Sequence, residues 1–203
     1  MNLERRSELK RKTKETEIKI KINIDGTGNS EINTEIPFLD HLLTQIAVHG
    51  CFDLNIEGKG DLEVDIHHLV EDIGILLGKA FKNALKEKRG INRVGHCVFP
   101  MDEVLVLVAV DLSSRPFFKH KIEWTNSFLG SKEEFLIPVD LIEHFLYSFA
   151  INAKITLHIM LMNGKNDHHI AEGIFKALGI ALDQASRFNS KRLNKIPSSK
   201  GDL

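Results

Sequence analysis

Along the chain, strand-like alternation gives way to helical spacing, and then the same succession occurs again. From Glu17 to Ile24 (EIKIKINI) charged side chains alternate with β-branched ones, the period of a half-buried strand, and Asp25-Gly26 follows as a turn signal. Glu31 to Ile36 alternates again. Residues 38–49 carry apolar positions at helical spacing, and 53–58 and 61–65 read as short strands. Asp65 is placed to cap a helix running from about His67 to Lys88. The second half opens on VLVLVAV (104–110), apolar enough for a buried strand. Strands near 117–124 and 154–162 and helices near 139–152 and 168–187 complete it. This order predicts an α+β fold of two units, each a mostly antiparallel sheet with helices on one face, the two helix layers packed together.

The two units resemble each other. HHLVEDIGILLGKA (67–80) lies over HHIAEGIFKALGIA (168–181), an offset of 101 residues, with His, His, Glu, Ile, Leu, Gly and Ala matching. Carried on without gaps, the offset sets LNIE (54–57) over ITLH (155–158) and, to within one residue, brings the helix-like FLDHLLTQIAV onto the helix-like DLIEHFLYSFA. Self-similarity at one offset implies a duplicated unit. The chain divides into a first half-repeat over 1–92 and a second over 93–203. Residues 1–14, with six basic side chains, read as a solvated arm, and the end of the chain, PSSKGDL, reads as a flexible tail.

Composition narrows the setting more than the function. With 203 residues, 42% hydrophobic and 27% charged, the chain is an ordinary globular sequence, and its net charge of −1 gives no reason to expect nucleic-acid or membrane binding. No apolar run approaches the roughly 18 residues of a membrane span. The charged start, MNLERRSELKRKTKET, lacks the apolar stretch of a secretory signal. Cys51 and Cys97 show no paired spacing and read as small core residues in a reducing cytoplasm.

The histidines carry the chemistry. Adjacent histidines on a helix are about 100° apart, so they cannot easily aim at one point. Glu71 is four residues after His67 and three after His68, which leaves one histidine to ligate a metal with the glutamate and the other to face a different partner. His168, His169 and Glu172 repeat the arrangement, so two metals are the natural count. Each pair opens a helix, where the positive end of the dipole favours neutral imidazole, the form that binds metal. Imidazole and carboxylate together suit manganese, iron, cobalt or zinc. No cysteine stands nearby for a structural zinc site, no HExxH occurs, and GKNDHH lacks the upstream glycine of a phosphate-binding loop.

FLDHLLTQIAVHG, GDLEVDIHHLVEDIGILLG, PMDEVL, DLSSRP, TLHI, NDHHIAEGIFKALG and PSSKG, in that order, resemble the imidazoleglycerol-phosphate dehydratases over nearly the whole chain, in their monofunctional form. Ser114 in DLSSRP stands where that family usually has glycine. The resemblance implies a hydro-lyase of histidine biosynthesis that converts D-erythro-imidazole glycerol phosphate to imidazole acetol phosphate. It implies two Mn2+ ions per active site, held by His41, His67, His68, Glu71, His158, His168, His169 and Glu172; because the substrate's imidazole is the only electron sink, its imidazolate is expected to bridge the two metals. Substrate contacts fall on Glu15, Arg93, Arg115, Ser198, Ser199 and Lys200. Glu15 is the candidate base, with Glu71 and Glu172 as second choices. His49, His96, His120 and His144 match no ligand position. The resemblance further implies trimers that build a shell of 24 subunits, with metal sites between subunits. A metal-dependent hydrolase and a non-catalytic metal cage are the rival readings. The first needs no imidazole in its substrate, and the second needs no phosphate grip.

Overall fold

The computed structural model describes residues 5–130 and 136–201. The first alternating stretch forms β2 (Thr16–Asn23), which turns Ile18, Ile20 and Ile22 inward and its lysines outward. Beside it lie β1 (Arg6–Lys12) on one side and β4 (Asp53–Gly60) on the other, both antiparallel, with β3 (Ser30–Asn33) parallel to β4 at the far edge. Helix α1 (Pro37–Gly50) makes the crossover from β3 to β4, and α2 (Ile66–Leu85) follows β4.

The second half repeats this plan. Strands β5 (Val94–Met101), β6 (Val104–Asp111), β10 (Thr156–Asn163) and β7 (Phe117–Lys121) stand in that spatial order, and β7 is parallel to β10. Helix α3 (Val139–Ala153) crosses from β7 to β10, and α4 (Asp167–Ser186) follows β10. A short hairpin, β8 (Phe128–Leu129) with β9 (Ile137–Pro138), is inserted before α3.

Helices pair across the halves, α2 with α3 and α1 with α4, so the two units share one core. The rings of Phe52, Phe81 and Phe149 run through it, edge-on and tilted to one another, at centroid spacings of 6.1 and 6.0 Å, and Phe145 stacks on Phe175 at 5.5 Å. Two glycines let the helices approach. A Cβ on Gly78 would stand 2.5 Å from the Phe149 carbonyl oxygen on α3. One on Gly179 would stand 2.7 Å from that of Ile46 on α1. Gly78 and Gly179 are equivalent at the 101-residue offset, so both close contacts arise from one feature of the repeated unit.

Upstream of the His-His motifs the equivalence runs at 103 residues, not 101. Buried Leu42, Leu43, Ile46 and Ala47 of α1 match Phe145, Leu146, Phe149 and Ala150 of α3, and the left-handed caps Cys51 and Lys154 match in the same register. The difference arises because five residues separate β4 from α2 and three separate β10 from α4.

Several local expectations are corrected. The basic arm is an edge strand, not solvated coil. Its charges are matched across the sheet and to α2, with Lys21 3.6 Å from Glu8 and Arg11 3.0 Å from Asp72. Residues 61–65 form a turn that closes through the Val64 N–H to the Asp61 carbonyl, and β5 precedes the expected first strand of the second half. Cys51 is exposed and Cys97 half-buried, so neither is a core residue. The tail from 189 to 201 folds back on the 89–93 segment, with the Gly90 N–H donating to the Lys195 carbonyl and Arg93 Nη1 to that of Pro197. The outer ends of arm and tail lie outside the described residues.

Candidate metal centres

Each His-His pair is set by a helix cap. The Asp65 carboxylate accepts the His67 N–H at 2.9 Å. The Asn166 side chain accepts the N–H groups of His168 and His169 at 3.1 and 3.3 Å. The first histidine of each pair then faces its own i+4 glutamate, His67 Nε2 lying 3.6 Å from Glu71 and His168 Nε2 3.2 Å from Glu172.

A histidine from the opposite half completes each group. His41 on α1 brings Nε2 to 3.3 Å from Glu172, and His144 on α3 brings Nε2 to 3.3 Å from Glu71. The two clusters are therefore His41, His168, Glu172 and His67, Glu71, His144, with the ligating atoms of each within 4.8 Å of one another. The close helix contacts at Gly179 and Gly78 hold α1 and α3 near enough for this.

The second histidines face elsewhere, as the turn of the helix requires. His68 Nδ1 is 3.0 Å from Asp61, whose hydrogen bond raises the imidazole's affinity for a proton; the nearby Glu15 charge adds to this. His169 Nδ1 is 3.1 Å from Glu103 and 3.9 Å from Asp102. The backbone of Glu103 and the His169 ring together hold the Glu103 carboxyl below its ordinary range.

The residues fit a divalent transition metal. The Nε2 atoms of His41 and His144 are buried and make no hydrogen bond. A buried polar atom without a partner is costly, and imidazole nitrogens converging on a carboxylate oxygen can each present a lone pair to an ion between them. A cation satisfies all three donors at once. Burial pushes the Glu172 carboxyl up, but the hydrogen bond from Lys176, at 2.8 Å, and the contact with His41 outweigh it, so Glu172 stays below the usual carboxylate range. Lys176 is one helical turn beyond Glu172, a spacing visible in the sequence.

The structure brings six of the eight expected ligands to the three His/acid groups of the described residues: His41, His67, Glu71, His168, His169 and Glu172. It sets His68 apart with Asp61. It does not bring His158 to any of them. Leu157 and Ile159 point into the core, so alternation along β10 puts His158 on the outer face of the sheet, its ring 5.6 Å from that of Phe117. His144, expected to have no such role, stands in its place. The 101-residue register hides its equivalence to His41, and the 103-residue register shows it.

The expected substrate contacts lie at two places. Glu15 sits in the β1–β2 turn, which is tied over the start of α2 by Thr16 Oγ1 donating to buried Asp72 at 2.6 Å. Arg93 has φ +77°, donates Nε and Nη2 to Asp111 at 2.7 and 2.9 Å, and ties down the tail at Pro197. Arg115 is exposed, 3.9 Å from the same Asp111. Lys200 N–H donates to Ser198 Oγ at 3.2 Å, so Ser198, Ser199 and Lys200 form a turn beyond Pro197. The Arg93 N–H bonds to the Ala185 carbonyl, which sets this group at the far end of α4. At about 1.5 Å per residue, Ala185 is about 20 Å along that helix from Glu172.

Fold and site together define a duplicated α+β protein with two His2Glu clusters, one at each helix pair shared by the halves. Comparison with known proteins makes this specific: the chain belongs to the imidazoleglycerol-phosphate dehydratase family, whose model matches residues 34–182. The imidazoleglycerol-phosphate dehydratase of Thermoanaerobacter pseudethanolicus is 50% identical over 98% of this chain and 100% of its own length. That of Acetivibrio thermocellus is 49% identical over 99% and 100%. Among solved structures, the Staphylococcus aureus enzyme superposes with a TM-score of 0.79 at 36% identity, covering 91% of this chain and 99% of that one. The enzyme from Pyrococcus furiosus gives 0.78 at 36% identity over 96% and 100%.

Proposed function

We propose that the chain removes water from D-erythro-imidazole glycerol phosphate to give imidazole acetol phosphate, a step of L-histidine biosynthesis, with two Mn2+ ions per active site. One observation carries the metal dependence: the buried, unbonded Nε2 atoms of His41 and His144, each facing a glutamate of the other half. Family membership, with relatives near 50% identity over their full length, supports the reaction.

The C–H bond to be broken has no neighbouring carbonyl to acidify it, so the substrate's imidazole is the electron sink. Manganese, when bound, supplies Lewis acidity to that ring. The chain's own residues do the rest. Glu15, a carboxylate outside the metal clusters, takes the proton from carbon. Arg93, Arg115, Ser198, Ser199 and Lys200 hold the phosphate, with guanidinium suited to bidentate contact. His41, His67, His144, His168, Glu71 and Glu172 hold the two metals in this reading. The second histidines, His68 and His169, keep their Nδ1 atoms on Asp61 and Glu103, which leaves Nε2 to ligate.

The same reading makes the enzyme a homo-oligomer. The phosphate-binding group lies about 20 Å along α4 from Glu172, farther than a ring, three carbons and a phosphate extend. The phosphate grip of one copy therefore works with the metal clusters of another, and His68 and His169 complete a neighbour's clusters. Trimers closing into a shell of 24 copies satisfy this requirement by point-group symmetry. A cytoplasmic setting is part of the proposal. Among the described residues no helix is long and apolar enough to cross a membrane.

The test is complementation. A bacterial strain deleted for this dehydratase should grow without histidine when it expresses the chain. Absence of growth with abundant folded protein would overturn the assignment.

A further inference from the structure

Ser114 adopts φ +60°, a left-handed conformation that disfavours a side chain, in the loop that presents Arg115. Its hydroxyl is not idle. Lys88, just beyond the end of α2, reaches across to this loop and donates Nζ to Ser114 Oγ at 2.9 Å and to the Leu112 carbonyl at 2.8 Å. On the other side of the loop, buried Ser113 accepts the Arg115 N–H at 3.2 Å and lies 3.4 Å from Thr156 Oγ1. The loop is thus held from both sides, and the residue that bends it, Ser114, is one of the two that Lys88 holds. Leu112 N–H also bonds the Arg93 carbonyl at 3.0 Å, so the same loop is continuous with the second arginine of the group.

We propose that Lys88 is a positioning residue for phosphate binding: by holding Leu112 and Ser114 it fixes the loop that presents Arg115 and, through Asp111, the Arg93 guanidinium. This rests on the reading of Arg93 and Arg115 as the phosphate grip. Lys88 also lines a cavity of about 340 Å³ with Lys82, Lys86, Arg89 and Ile196, which gives its side chain somewhere else to lie when its hold is released.

The ionisation of Lys88 agrees with a conditional hold. Burial pushes its ammonium down to about 8. Asp111 on β6 opposes that fall, while Lys82 on α2, Arg93 before β5 and Lys154 at the end of α3 add to it. Glu87 and Arg89 flank it in sequence and share its cavity. An ammonium donates stronger hydrogen bonds than a neutral amine, and its charge favours a nearby phosphate. Phosphate binding should therefore weaken as pH rises through this range.

The test compares wild type with Lys88→Met and Ser114→Gly. Glycine accepts φ +60° freely, so Ser114→Gly keeps the fold while removing the hydroxyl. At pH 7, Lys88→Met should raise the Michaelis constant by about tenfold with kcat changed less than about twofold, and Ser114→Gly should show a smaller rise of the same kind. The wild-type Michaelis constant should climb above about pH 8, and that of Lys88→Met should not. A second readout does not depend on turnover: the rise in melting temperature produced by inorganic phosphate should shrink in both variants. Michaelis constants, pH profile and phosphate shift equal to wild type in both variants would overturn the proposal. A wild type that fails to turn over imidazole glycerol phosphate defeats the functional reading instead, and the phosphate shift then decides the role of Lys88 alone.

Discussion

His41 and His144 occupy equivalent positions 103 residues apart, and each turns Nε2 to 3.3 Å from a glutamate of the opposite half, Glu172 for the first and Glu71 for the second. The duplication is therefore crossed: neither half builds a cluster alone. A change that separates α1 from α4, or α3 from α2, should disturb a proposed metal site without touching any of its proposed ligands.

The crossed arrangement sets the metal content of variants. Replacing His144 by Asn should remove about half of the tightly held manganese, as should His41→Asn, because each opens one of two clusters. His158→Asn should retain the wild-type content. Metal analysis after dialysis checks this. Loss of metal on changing His158 with retention on changing His144 would reverse the assignment of the two.

The glycine contacts predict a loss of stability. A Cβ at Gly179 would stand 2.7 Å from the Ile46 carbonyl and 2.9 Å from Gly50 N, atoms of backbone that cannot swing away. Gly179→Ala should cost about 1–3 kcal/mol in denaturant unfolding. It should also weaken manganese binding at the His41 cluster more than at the His144 cluster. An unchanged unfolding midpoint would mean the helices part at no cost.

Glu15 stands outside both clusters. Glu15→Gln should lower turnover by about a hundredfold or more while manganese content stays at the wild-type level. Turnover within about twofold of wild type would remove Glu15 from the proton transfer.

Lys88 gives the fold a pH dependence of known sign. Its ammonium titrates at about 8 in the folded chain, and near 10.4 when unfolded. Between these values the unfolded state binds more protons, so stability should rise with pH from about 8 towards 10 and stay level below 8. The difference between wild type and Lys88→Met, from unfolding midpoints at pH 7 to 10, isolates this contribution. A difference that does not change over this span would contradict the folded-state titration.

Much of this was legible in the sequence. Period-2 alternation marks β2, an unbroken apolar run marks β6, and the repeated HHxxE motif gives the duplication, the helix starts and the split between first and second histidines. What escaped has definite causes. The arm's composition alone suggests solvated coil, yet β1 forms because Glu8 and Arg11 find partners on β2 and α2, pairings that exist only once the sheet is built. Strand β5 (VGHCVFPM) contains glycine and proline, which weaken a strand pattern, and Gly95 is there because α4 passes so close that a Cβ would meet the Ala181 carbonyl at 2.0 Å. His144 was hidden by two residues of difference in one connection. The buried positions of α1 and α3 align at 103 residues and bring His144 onto His41, whereas His158 lies outside the clusters because of the face of the strand on which it falls.

The most direct test of the whole account is turnover of D-erythro-imidazole glycerol phosphate by protein stripped with chelator, before and after manganese is restored. Product should appear only after manganese is restored, with about two ions bound per chain. No product from protein shown to have bound both ions, or equal turnover with and without them, would contradict it.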